Sequence, residues 1–199
     1  MCLPTVPLAA CRSAPSDNVA LGVLVFHRGL DVYMPHRLHH QLQVAQYKYK
    51  SETAWTDSGG GASTYFAKPK WQVGPGVPSN TKRDVPDIAF DATENTGQYT
   101  YYEGTWYSGY GTSYGPPNMA GYWALVLEAL KGKSTGNVAS LFYKLGASSS
   151  YQTNMHDVAT GSNGPGIGPG YDATKDWDYT TGWGSVNGTK ALSYFEANP

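Results

Sequence analysis

Glycine is spread so unevenly along this chain that it limits the fold before any motif is considered. Of 24 glycines in 199 residues, only Gly22 and Gly29 precede residue 46, and the other 22 follow it. Glycine serves where a backbone turns tightly or approaches another segment closely. The part beyond residue 46 therefore reads as a loop-rich fold with tight turns, not as a helical bundle. Histidine runs the other way, with His27, His36, His39 and His40 all in the first 46 residues. A single domain rarely divides so sharply. Residues 1–46 read as an atypical N-terminal segment, either an appendage or a stretch of different origin. Translation across a shifted reading frame is one such origin. Residues 47–199 form the body of the protein.

Fifteen acidic against 14 basic side chains leave a formal net charge of −1, which argues against the basic footprint of a nucleic-acid binder. No apolar run is long enough for a transmembrane helix. Neither nucleic acid nor membrane is expected as a partner. Charged residues at 15% and aromatics at 14% are the opposite of the balance that keeps chains disordered. Cys2 and Cys11 are the only cysteines, and two cysteines alone make no structural zinc site. A Cys2–Cys11 disulfide would staple only the N-terminal tip. Residues 1–11 lack a basic n-region, and Pro4 and Pro7 interrupt their apolar stretch, so no clear signal peptide is read. Val19–Phe26 reads as a short buried strand. The sequon Asn187-Gly188-Thr189 is weak evidence for secretion.

Along the body of the chain, Asp84–Phe90 has the alternation and β-branching of a strand, with Pro86 limiting its place in a sheet. Tyr99–Tyr110 predicts a hairpin turning at Glu103-Gly104. Pro116 and Pro117 open a helix, PPNMAGYWALVLEALKGK, that stops at Gly132. It is apolar almost all round, which predicts a central, buried position. A short helix follows over Asn137–Leu145, and Ser148–Gly188 is mostly loop.

The stretch GYGTSYGPPNMAG, from Gly109 to Gly121, sets Ser113 just before the proline-initiated helix. Backbone N–H groups and the helix dipole favour negative charge there. A serine attacking a carbonyl needs such a place, because its tetrahedral intermediate is an oxyanion. A helix-capping serine of purely structural role fits the same local sequence.

Four ordered segments resemble the serine-carboxyl peptidase (sedolisin) family of the subtilisin-like clan. Gly111-Thr112-Ser113 with Pro117 matches its Gly-Thr-Ser-x-x-x-Pro pattern. Glu52 and Trp55 precede Ser58-Gly59-Gly60-Gly61-Ala62-Ser63, followed by Tyr65-Phe66, Pro69 and Trp71-Gln72. Arg83 to Ala92 (RDVPDIAFDA) and the run from His156-Asp157-Val158 to Asp178 and Thr181-Gly182-Trp183-Gly184 complete the set. The resemblance is limited to the C-terminal part of the family's catalytic domain. It implies an α/β fold, an incomplete subtilisin-like one: a partial parallel sheet, a central buried helix, Gly-rich loops and a C-terminal calcium-binding loop. It makes Ser113 the nucleophile of an acid-acting endopeptidase on peptides or proteins, places Ser58, Gly59, Gly60 and Gly61 at the substrate cleft, and suggests an extracellular location.

In the family a Glu acts as general base, an Asp four residues later orients it, and a further Asp stabilises the oxyanion. A carboxylate base works at low pH, where histidine is already protonated. Those three acids lie upstream of the triple-glycine segment, in a half this chain is too short to contain. Asp31 with His27 four residues earlier is a poor substitute, though a His27/Asp31/Ser113 triad is chemically conceivable. Asp87 and Asp91 share the four-residue spacing, but their place in the Arg-x-x-Pro-Asp segment suits a structural role.

For calcium, the resemblance assigns side-chain oxygens of Asp157 and Asp178 and main-chain oxygens of Val158, Thr174 and Asp176, within the six to eight oxygens calcium prefers. Family members commonly carry glycine where Thr174 and Asp176 stand. A solvated acidic loop is the alternative. The aromatics of Tyr99–Tyr110, with Trp177, Tyr179 and Trp183, serve either packing or a binding surface. Three functions remain open: an impaired serine-carboxyl endopeptidase, a silent calcium-stabilised remnant, or a peptide- or glycan-binding module. Self-association is expected if the fold is incomplete.

Overall fold

A computed structural model describes residues 49–164 and 170–199. The readings of residues 1–46, of Cys2 and Cys11, of Val19–Phe26 and of His27 with Asp31 lie outside the described residues.

Strand β1 (Gly61–Ala67) pairs antiparallel with β2 (Lys82–Val85), with an irregularity between Ala62 and Ala67. The expected strand thus starts two residues early and stops at Val85. The next residue, Pro86, has no N–H to continue a ladder. Strands β3 (Gln98–Tyr102) and β4 (Thr105–Gly109) form the expected hairpin. Its two turn residues, Glu103 and Gly104, both have positive φ, 47° and 82°. That is the type I′ geometry whose twist matches the paired strands.

Helix α1 (Gly115–Ala129) carries a proline in its first turn, where the missing N–H loses no helical bond. It ends as expected near Gly132, which has φ 76° and donates its N–H to the Leu127 carbonyl at 2.8 Å. Its burial differs from expectation. Gly115, Met119, Trp123 and Val126 are buried along one side. On the other, Pro117, Gly121, Ala124 and Leu125 face solvent, Leu125 at 57% exposure. A helix apolar all round needs cover on both sides, and here it is covered on one.

Helix α2 (Val138–Gly146) lies within one residue of its predicted span, and the Asn137 side chain caps it by accepting the Ala139 N–H at 3.0 Å. Short α3 (Tyr151–Asn154) leads into β5 (Met155–His156), which pairs antiparallel with β6 (Ser185–Val186), and α4 (Gly188–Ala197) follows. Among the described residues the expected parallel sheet is reduced to one bridge, Ala89 beside Ser185. Parallel strands need helical cover on both faces.

The core is an aromatic cluster. Trp123 of α1 meets Phe142 of α2 and Phe195 of α4, with ring centroids 6.2 and 5.2 Å apart. Trp183 sits edge-on to Tyr143 and Tyr151 at 5.8 and 5.3 Å. Trp177 and Trp183 are 1% and 0% exposed, so their reading as a ligand-stacking surface is overturned in favour of packing.

Candidate active site

Ser113 lies in a 3₁₀ turn, Thr112–Tyr114, that runs directly into α1. Gly111 opens the turn at φ 107° and ψ 160°, a conformation side-chain-bearing residues rarely adopt. Its N–H bonds the Ala92 carbonyl at 2.7 Å, tying the turn to the chain beyond β2. The Tyr114 ring lies against Gly109, and Asn118 of α1 donates to the Gln98 side chain at 2.8 Å. Hairpin, turn and helix start are thereby held together. Ser113 itself is exposed, and its hydroxyl has no hydrogen-bond partner among the described residues. Tyr114 precedes α1, and no side chain caps that helix. The hydroxyl is therefore not used as a cap, and it stands free beside a helix N-terminus.

The four residues that the resemblance assigns to the cleft serve different ends. Ser58 is 8% exposed, and its hydroxyl is buried without a hydrogen-bond partner among the described residues. Gly59 is open, with nothing within 4 Å of where a Cβ would stand. At Gly60 a Cβ would lie 1.8 Å from the Tyr179 carbonyl oxygen, so this glycine is required by contact within the chain itself. Gly61 begins β1. No hydrogen bond joins these four to Ser113 among the described residues. An open groove of about 200 Å³ lies between residues 53–57 and 93–95, its second wall continuous with the Ala92 that holds the Ser113 turn.

Neither acid of the Asp87/Asp91 pair stands free. Asp87 receives Arg83 at 2.6 Å on both oxygens, in a pair almost wholly shut off from solvent. Asp91 accepts the Thr96 hydroxyl at 2.6 Å. For Asp87 this bears out the structural reading.

The five residues assigned to calcium do come together. Asp157 accepts the Asp176 N–H at 2.9 Å, and Asp178 accepts the Thr174 N–H at 2.9 Å. The Thr181 hydroxyl lies 3.4 Å from the Val158 carbonyl and 3.1 Å from Asp178. Asp178 also takes the N–H groups of Thr180 and Thr181 at 2.7 Å. Burial pushes the Asp178 carboxyl up to about 6, against these donors, which pull it down. Asp176 has φ 67°, the left-handed region where glycine is least strained. The second Asp157 oxygen, Oδ1, is buried and has no geometric hydrogen-bond partner among the described residues, although the Tyr151 hydroxyl lies close enough to interact with this carboxyl group. No three His, Cys, Asp or Glu side chains cluster among the described residues. The assigned set uses only two carboxylates with main-chain oxygens, and the orphaned Oδ1 fits a hard cation.

Sequence reading passed over the role of Glu52. Both its oxygens lie 2.8 Å from the Ser185 hydroxyl, and the Tyr49 hydroxyl is 3.3 Å away. Tyr49 stacks on His156 at 3.6 Å. Ala54 donates to the Thr160 carbonyl at 2.9 Å. Segment 49–54 is thus stitched to the loop after β5. Only the position of Glu52 within a motif hinted at this, because its partner lies 133 residues away.

No protein-family model matches the chain. Its similarity is to serine-carboxyl peptidases. Sedolisin of Pseudomonas sp. (strain 101) is 40% identical over 161 residues, covering 75% of this chain and 26% of that protein. Xanthomonalisin of Xanthomonas sp. (strain T-22) is 38% identical over 141 residues, covering 71% of this chain and 16% of that protein. Among solved structures, Pseudomonas sedolisin, a serine-carboxyl proteinase complexed with two molecules of pseudo-iodotyrostatin, matches with a TM-score of 0.65 at 38% identity, over 75% of this chain and 42% of that one. The chain therefore resembles the sedolisin family over part of the catalytic domain, with the subtilisin-like fold of that part. It spans about a quarter or less of the length of these curated relatives. No described helix is long and apolar enough to cross a membrane.

Proposed function

We propose that this chain carries the nucleophile-bearing part of a serine-carboxyl endopeptidase acting on peptides or proteins outside the cell. The observation that supports this most directly is the free, exposed Ser113 hydroxyl on a tight turn at the start of α1. There Ser113 Oγ attacks a peptide carbonyl, and the developing oxyanion needs donors aimed at it. A base must take the hydroxyl proton. In the family that base and its orienting acid belong to the upstream half. Losing a base lowers the rate by orders of magnitude. The chain alone should therefore show little or no cleavage of denatured protein at pH about 4. Cleavage should appear when a polypeptide bearing the Glu-x-x-x-Asp half is co-expressed, and it should vanish in Ser113→Ala. Ser113-dependent cleavage by the chain alone would overturn the impairment. No cleavage in either case would remove the nucleophile reading.

The loop cluster is proposed to hold one calcium ion through Asp157, Asp178 and the main-chain oxygens of Val158, Thr174 and Asp176. The orphaned Asp157 Oδ1 supports this. The ion would supply the positive charge that the buried carboxylates otherwise lack, and it takes no part in the chemistry at Ser113. A second reading, a calcium-stabilised module that binds peptide or glycan, is favoured by the hairpin. Tyr99, Trp106 and Tyr110 are 71%, 58% and 60% exposed there.

A further inference from the structure

Lys68, Asn80 and Asp84 form a cluster that the Ser113 reading does not use. Lys68 directly follows β1, and its N–H bonds the Thr81 carbonyl at 2.9 Å, closing the base of the excursion between β1 and β2. Asp84 is fully buried. Its Oδ2 lies 2.7 Å from Lys68 Nζ in an ion pair whose geometry is not that of an aligned hydrogen bond, and the Lys68 side chain is only 13% exposed. Its other oxygen, Oδ1, accepts from Asn80 Nδ2 at 2.7 Å and from the Tyr179 hydroxyl at 2.7 Å. An amine and a carboxamide are thus held on the two oxygens of a single buried carboxyl group. The Asn80 carbonyl oxygen in turn accepts the Lys82 N–H at 2.8 Å. The Pro78 carbonyl accepts from Lys68 Nζ and helps to fix the amine.

These are the parts an amide exchange needs: a nucleophile, an acyl group, a proton carrier between them and a donor on the acyl oxygen. Asn80 Nδ2 also donates to the Tyr179 hydroxyl at 3.0 Å, which fixes the carboxamide beside the carboxyl group. We propose that Lys68 and Asn80 join in an intramolecular isopeptide bond, with Asp84 as the proton carrier.

Asp84 takes one proton from the Lys68 ammonium, and the neutral Nζ attacks Asn80 Cγ. The oxyanion that develops on Asn80 Oδ1 meets the Lys82 N–H. Asp84 passes its proton to Nδ2 and accepts a second one from Nζ. The Cγ–Nδ2 bond breaks, and the departing ammonia takes that last proton. The net change is one ammonium and one carboxamide to one secondary amide and one ammonium ion. No oxidant, reductant or cofactor enters. The bond would tie the ends of the β1–β2 excursion covalently.

The test is the mass of the full-length chain, read on the fraction that elutes folded and unfolds cooperatively. The expected mass is lower than the sequence mass by one ammonia, and digestion should release a branched peptide joining Lys68 to Asn80. Lys68→Arg keeps the ion pair and should restore the full sequence mass. Ser113→Ala should keep the deficit, which separates this inference from the peptidase reading. A folded wild-type chain at full sequence mass after prolonged incubation would overturn the proposal. So would Asn80 recovered as free aspartate, or an unchanged deficit in Lys68→Arg.

Discussion

Glu52 shows how far one side chain's surroundings can move it from ordinary behaviour. Burial pushes its carboxyl up from 4.5 to about 7. The hydrogen bonds from Ser185 and Tyr49 pull down, and the nearby Asp91 charge pushes up. A carboxyl raised in this way holds its proton more tightly in the folded chain than in the unfolded one. Its stabilising contribution is complete below pH 4.5 and is lost as pH rises through about 7. The folded chain should thus lose on the order of 3 kcal/mol from this group across that window. Denaturant titrations at several pH values check this. Glu52→Gln should flatten the decline, and an equally steep decline in that variant would count against the assignment. The Arg83–Asp87 pair belongs to the same scale. Its spacing was visible in the sequence, but its burial, with one guanidinium nitrogen on both carboxylate oxygens, was not.

Helices α1 and α2 meet their expectations to different degrees, for a physical reason. A capped helix with one apolar side is written locally, so Asn137 and the pattern of α2 fix its span. What α2 packs against is not local. Trp183, on the far side of the loop cluster, lies so close that a Cβ on Gly146 would sit 2.2 Å from its ring. Gly146→Ala should therefore destabilise the chain by roughly 1–3 kcal/mol despite better helix propensity, because the core would be overpacked. Thermal unfolding of the variant against wild type measures it, and a neutral or raised melting temperature would contradict the packing. The composition of α1 predicted burial all round, but burial also requires neighbours. Composition alone does not show that α4 and α2 cover only one side.

At the scale of the whole molecule, the described residues leave Leu125 of α1 exposed beside Gly121 and Ala124, with Asn118 and Glu128 bordering them. An exposed large apolar side chain beside small residues favours association. The chain should show a larger, concentration-dependent apparent mass in sedimentation, and Leu125→Glu should reduce it. A monomer at every concentration would refute this expectation. Calcium acts on the molecule as a whole through linkage. An ion bound only by the folded state raises the melting temperature in step with its concentration. Asp157→Ala should abolish that shift, and no calcium-dependent shift in wild type would remove the metal site.

Much of the outline was therefore legible in residues that act on near neighbours. Glu103-Gly104 set the hairpin turn, Asn137 capped α2, Pro116 opened α1 and Gly132 closed it. The ordered motifs around Ser113 also carried the resemblance to the sedolisin family, because the Ser113 turn and its helix are contiguous in sequence. The remaining features depended on partners distant along the chain. Folding put Ser185 on Glu52, Asp178 beside Thr174 and Val158, Trp183 under Gly146, and Lys68 with Asn80 on one carboxyl group. Local backbone preference is written residue by residue. Burial, orphaned oxygens and shared protons arise only when separated segments close around one another and exclude water.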